Sequence, residues 1–147
     1  MEKKKIMYIV FAVLFVLLIA ILLFFVSKDR NDSHTDTNLT YENFVILKGH
    51  KGEVKEYDKS IYVDGYKGSY DEAYYITGKL KNNGEDKDFV VIRFNLFDEK
   101  GNLLGEAIAG LNKVSKDKEY DFKAMSTTTT ENAKKVAKYV LKSISAE

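Results

Sequence analysis

The sequence predicts an all-β domain, an antiparallel β-sandwich, carried behind one N-terminal transmembrane helix. Three observations lead there: a 21-residue stretch without a charge from Ile6 to Val26, alternation of apolar and polar residues at period 2 through much of the remainder, and turn residues at short, regular spacing. With 147 residues in all, the chain has room for one globular domain besides the apolar stretch.

Residues 1–5 form a basic tail with Lys3, Lys4 and Lys5, and residues 6–26 follow as the apolar stretch, whose one polar side-chain group is the Tyr8 hydroxyl. A helix of 21 residues reaches roughly 31 Å, the hydrocarbon thickness of a bilayer. In lipid the backbone must satisfy its own hydrogen bonds, so helix prevails over the β-branched content of this run. The basic excess precedes the span, while Lys28 and Arg30 are interspersed with Asp29 and Asp32. This places the N-terminus in the cytoplasm and the rest outside. A cleaved signal peptide would have a shorter apolar region and small residues before its cleavage site; Phe24, Phe25 and Val26 stand there instead, so the segment reads as an uncleaved anchor. It carries no GxxxG and no charge, which suits an anchor better than a transport path.

Residues 27–40 (SKDRNDSHTDTNLT) hold one apolar residue, Leu39, and read as a flexible linker. His34 lies within it and reads as a solvated side chain. The exported domain is then 41–147. Strands are expected at 43–48, 53–57, 60–64, 74–81, 88–97, 103–109 and 119–125. In the fourth, Tyr74, Ile76, Gly78 and Leu80 share one face; in the fifth, Val90, Ile92, Phe94 and Leu96 do. Asn83-Gly84 between these two predicts a tight hairpin turn and makes them antiparallel neighbours. Asp98-Glu99-Lys100-Gly101 supplies the next turn. Seven or so short strands at this spacing favour a sandwich over a barrel. At the C-terminus Ala133, Val136, Ala137, Val140, Leu141 and Ile144 form a helical stripe that Thr128 and Glu131 could cap, yet Tyr139 to Ile144 is rich in β-formers. The spacing predicts a helical turn or two over 129–137, then a strand.

Composition excludes several chemistries. Without cysteine there is no disulfide, thiolate nucleophile or zinc-thiolate site. Set aside Glu2, Lys3, Lys4 and Lys5, and 20 basic residues face 21 acidic ones, which disfavours nucleic acid as a partner. No G-x-S-x-G elbow or phosphate-binding glycine loop is present, and His50, between Lys48 and Lys51 in a glycine-flanked turn, reads as a surface group. The acidic pairs Asp71/Glu72, Asp86/Asp88 and Asp98/Glu99 fall in expected turns and read as solvated. No catalytic residue, metal site or cofactor is assigned, and the chain reads as a non-enzyme.

The run Phe94-Asn95-Leu96-Phe97-Asp98 resembles the pattern that names the FxLYD domain, with Phe97 at its tyrosine position. The neighbourhood is similar too: Ile76 to Asn82 with its glycine, Gly101-Asn102 after the motif, Leu104-Gly105, and a strand through Phe122, so that the resemblance covers about residues 73–144. It implies an extracytoplasmic, membrane-tethered protein of a bacterial envelope with an immunoglobulin-like domain, and it implies no activity. Read physically, the motif is a folding signature. Phe94 and Leu96 point inward, Asp98 caps the turn, and Gly101 permits its backbone.

The remaining feature is tyrosine density. Tyr57, Tyr62, Tyr66, Tyr70, Tyr74 and Tyr75 fall within 19 residues among Gly, Ser, Asp and Lys. Tyrosine with small polar residues makes an adaptable contact surface at low entropic cost. Tyr57, Tyr62, Tyr66, Tyr70 and Tyr75 are therefore the binding candidates. The expected function is a single-pass, membrane-anchored extracytoplasmic interaction module that engages another envelope protein or a cell-wall polymer. The alternative is a structural accessory subunit of a membrane complex, recognised through its transmembrane helix.

Overall fold

A computed structural model describes residues 37–60 and 71–147. The chain divides into two compact units, Met1–Asp32 and Ser33–Glu147, and the described residues belong to the second. The basic tail, the expected span 6–26, most of the linker and nearly all of the expected strand 60–64 lie outside them. Among the described residues no helix is long and apolar enough to cross a membrane.

The described fold is antiparallel β throughout, with one short helix. The strands are β1 (Leu39–Tyr41), β2 (Phe44–Ile46), β3 (Lys51–Glu56), β4 (Glu72–Asn82), β5 (Lys87–Phe97), β6 (Leu103–Val114), β7 (Glu119–Ser126) and β8 (Lys138–Ala146). Helix α1 (Thr130–Ala133) lies between β7 and β8, so a helical turn followed by a strand is what the C-terminus forms. The order is β1-β2-β4-β7-β6-β5-β8, with β3 paired to β4 beside β2. Two halves result, one built on β4 and β7, the other on β6, β5 and β8. They are joined where Ala107 and Ile108 of β6 face Ser126 and Met125 of β7. Instead of two separate sheets, one sheet curls on itself until it is nearly closed.

Alternation places the core. Ile76 and Leu80 from β4, and Val90, Ile92, Phe94 and Leu96 from β5, are fully buried. The Phe94 ring stacks on Phe122 of the opposite half with centroids 6.0 Å apart, and Tyr139 of β8 meets it edge-on at 5.7 Å. Burying each such side chain stabilises the fold by roughly 1.5–3 kcal/mol.

The expected β4–β5 hairpin does not form. β4 pairs with β2, β3 and β7, and β5 with β6 and β8. The reason lies one residue before the Asn-Gly pair. Asn82 is fully buried, donates through Nδ2 to the carbonyls of Glu85 (2.8 Å) and Val114 (3.1 Å), and accepts from Gly84 N through Oδ1 at 2.9 Å. The loop winds around that side chain and carries the strand across to the other half. Positive φ occurs at Glu42, Lys113, Asp117, Gly49, Gly101 and Gly105, not at Asn83 or Gly84 as a type I′ turn requires. The cap of α1 also differs from the expected Thr128 and Glu131. Thr129 accepts from Asn132 N at 3.2 Å, while Thr128, 7% exposed, donates to the Leu104 carbonyl at 2.9 Å.

Candidate functional site

Of the five tyrosines read as binding candidates, Tyr57 and Tyr75 are described; Tyr62, Tyr66 and Tyr70 lie outside the described residues. On β4, Tyr74 and Tyr75 point to opposite surfaces. Tyr74 joins the main core, and Tyr75 joins a second cluster with Ala73 and Met125, against which Tyr57 and Ile108 pack. Tyr75 is only 1% exposed. Its hydroxyl donates to the Glu56 carbonyl at 3.0 Å and accepts from Asp58 N at 2.6 Å. Tyr75 therefore fastens the chain after β3 rather than offering its own surface.

Lys123 of β7 completes the fastening. Its ammonium sits 4.7 Å above the Tyr75 ring centroid and 2.8 Å from the Asp58 carboxylate. Ser60 adds a backbone and a hydroxyl hydrogen bond to the same carboxylate, at 3.0 and 2.6 Å. The Lys123 bond first, then the Ser60 bonds, lower the Asp58 pKa to about 2. Burial pushes the Tyr75 hydroxyl pKa up. On the far side, Tyr57 N donates to the Asp71 carbonyl at 3.0 Å. The described residues on either side of 61–70 thus share a base held by ladder bonds, an ion pair and a buried phenol.

The motif residues sit elsewhere. Phe94 and Leu96 are fully buried, and Phe97 is half-buried on the opposite, outward surface of β5. Asp98 accepts from Lys100 N (2.9 Å) and Asn102 N (2.8 Å) through one oxygen and from Asn102 Nδ2 (2.9 Å) through the other. The Asn102 contacts are the main cause of its lowered pKa. Gly101 takes φ +83°, where a side chain would be strained.

His50 is not the surface group its lysine neighbours suggest. It is fully buried, with Nδ1 2.8 Å from the Tyr139 hydroxyl, which in turn donates to the His50 carbonyl at 3.2 Å. The pair ties the start of β3 to β8 across the seam where β1 and β8, the two ends of the sheet, lie side by side without ladder bonds among the described residues. A cleft of about 400 Å³ opens there, lined by Asn38 to Tyr41, His50 and Tyr139 to Leu141. Only contact across 89 residues reveals this, and no local pattern signals it. Among the described residues no three His, Asp or Glu side chains converge to hold a metal. One member of each acidic pair serves the fold: Glu72 meets Lys134, Asp86 accepts from Lys116 N at 2.7 Å, and Asp98 caps its own turn, while Asp71, Asp88 and Glu99 are exposed. No family model, curated protein or solved structure matches the chain.

Proposed function

We propose that the chain is a non-catalytic, single-pass membrane-anchored interaction module of a bacterial envelope, with its FxLYD-like β domain outside the membrane. The observation that carries the binding role is the fastened base at Tyr75, Lys123 and Asp58. A rigid sheet that grips both ends of a segment containing Tyr62, Tyr66 and Tyr70 is the arrangement by which scaffolds present contact loops. The partner is another envelope protein or a cell-wall polymer. The 21 uncharged residues of 6–26, with their N-terminal lysines, support the anchor and its orientation.

Crosslinking of the full chain in intact cells, followed by affinity recovery, tests the reading. A specific partner is expected, and its recovery falls when Tyr66 and Tyr70 are both replaced by Ala. Unchanged recovery removes the tyrosine segment as the contact. Exchanging residues 6–26 for an unrelated span separates the alternative: the interaction module keeps its partner, whereas a subunit recognised through its membrane helix loses it.

A further inference from the structure

The large apolar side chains exposed among the described residues are Leu103 at 60%, Val140 at 42% and Phe89 at 37%. All three project from the outward surface of the β6–β5–β8 half. Leu103 lies opposite Phe97, and Val140 opposite Asn95, both on the outward side of β5; Phe89 covers Gly110 further along the same surface. The two most exposed stand with half-buried Phe97 at one end, across three adjacent strands. Lys138 is the β8 partner of Phe97, and Lys100 lies in the turn beside Leu103. Neither lysine has an ion pair among the described residues. Of the nearby acids, Asp98 is turned onto the amides of its own turn, Glu106, across Asn95 from Val140, is paired with Lys142 and Arg93, and Glu99 is exposed.

The chain enters the domain at this end. Val140 lines the same cleft as Asn38 and Leu39, the residues through which β1 begins. On the anchored reading, ten polar residues, 27–36, separate the span from Thr37, and a flexible chain of that length spans roughly 17 Å. A tether that short lets the entry corner, and the apolar surface beside it, reach the headgroups.

We propose that Leu103, Phe97 and Val140 form a membrane-contact patch that rests in the interfacial layer of the bilayer holding the anchor, with Lys138 and Lys100 extending toward phosphates. Such a patch needs no cavity. Leucine, valine and an aromatic ring enter the boundary of headgroup and acyl chain, while lysine stems lie along it. It leaves the β4–β7 half, with the fastened tyrosine segment, directed elsewhere for a protein or polymer partner.

The chain has no tryptophan, so Leu103→Trp and Val140→Trp each introduce a unique fluorophore, and Lys118→Trp, in the turn at the far end of β6, is the reference. The full chain is reconstituted into phosphatidylcholine–phosphatidylglycerol vesicles with and without brominated acyl chains. Blue-shifted emission and bromine quenching are expected at 103 and 140, and water-like, unquenched emission at 118. Unchanged thermal unfolding confirms that each variant is folded. Water-like emission at 103 and 140 in a chain that floats with the vesicles overturns the patch and leaves the anchor standing. A blue shift without quenching that grows with protein-to-lipid ratio assigns the patch to a second copy and overturns the lipid contact. A chain that fails to float overturns the anchor and the patch together.

Discussion

In the half of the sheet built on β4 and β7, side chains are buried on both surfaces: Ile76, Leu80 and Phe122 toward the core, and Ala73, Tyr75 and Met125 on the other side. In the half built on β6, β5 and β8, the inward surface is as well packed, yet the outward one exposes Phe89, Leu103 and Val140. The two differ in covering, not in strand chemistry, since both alternate at period 2. The covered half gains a strap, the chain from Tyr57 to Ser60, which Tyr75 and Lys123 hold down. Covering fixes the chain that follows β3, and its absence leaves large apolar side chains exposed.

Four substitutions put that contrast to the test. Phe94→Ala removes the ring stacked between the halves and should lower stability by about 3–5 kcal/mol in denaturant unfolding. A loss much smaller than that would mean the halves do not share one core. Tyr75→Phe deletes both hydroxyl bonds of the strap and should cost about 1 kcal/mol. Amide exchange should quicken at Asp58 and Tyr57 while the β5 amides stay protected; uniform quickening would show that the strap is not a separate unit.

Acid probes the same strap. The Asp58 pKa is depressed in the fold to about 2 from an ordinary 3.8. Its contribution is therefore complete above the ordinary value and disappears as pH falls from about 4 toward 2. Asp58→Asn does not titrate, so the stability difference between the two proteins should narrow across that window; a constant difference would dissociate the carboxylate from the strap. On the uncovered half, Leu103→Asp should change stability by no more than about 0.5 kcal/mol. A larger loss would show that this surface is packed in solution.

Strands were readable wherever one face is buried, as in β5, whose inward set Val90, Ile92, Phe94 and Leu96 alternates without a break. Tyr75 falls on the polar side of its own alternation, Tyr75 with Thr77 and Lys79. Its burial comes from Met125 and Tyr57, which periodicity along β4 does not contain. The Asn-Gly turn misleads because the deciding group is the preceding Asn82, whose partner Val114 lies 32 residues on. His50 misleads for a similar reason, since its flanking lysines describe the chain around it while Tyr139 describes its place in the fold. Local chemistry specified elements and faces, and long-range polar contacts specified how they join.

β1 is held by three residue pairs, Leu39 to Ile46, Thr40 to Val45 and Tyr41 to Phe44, all to β2. Tension applied to the chain ahead of Leu39 enters the domain through that strand. β2 is in turn held to β4 by only three pairs, whereas β4 and β7 share seven. On the anchored reading, a pull along the tether reaches this outer hairpin, whose Phe44 and Ile46 are buried in the core, before it reaches the barrel-like body behind it.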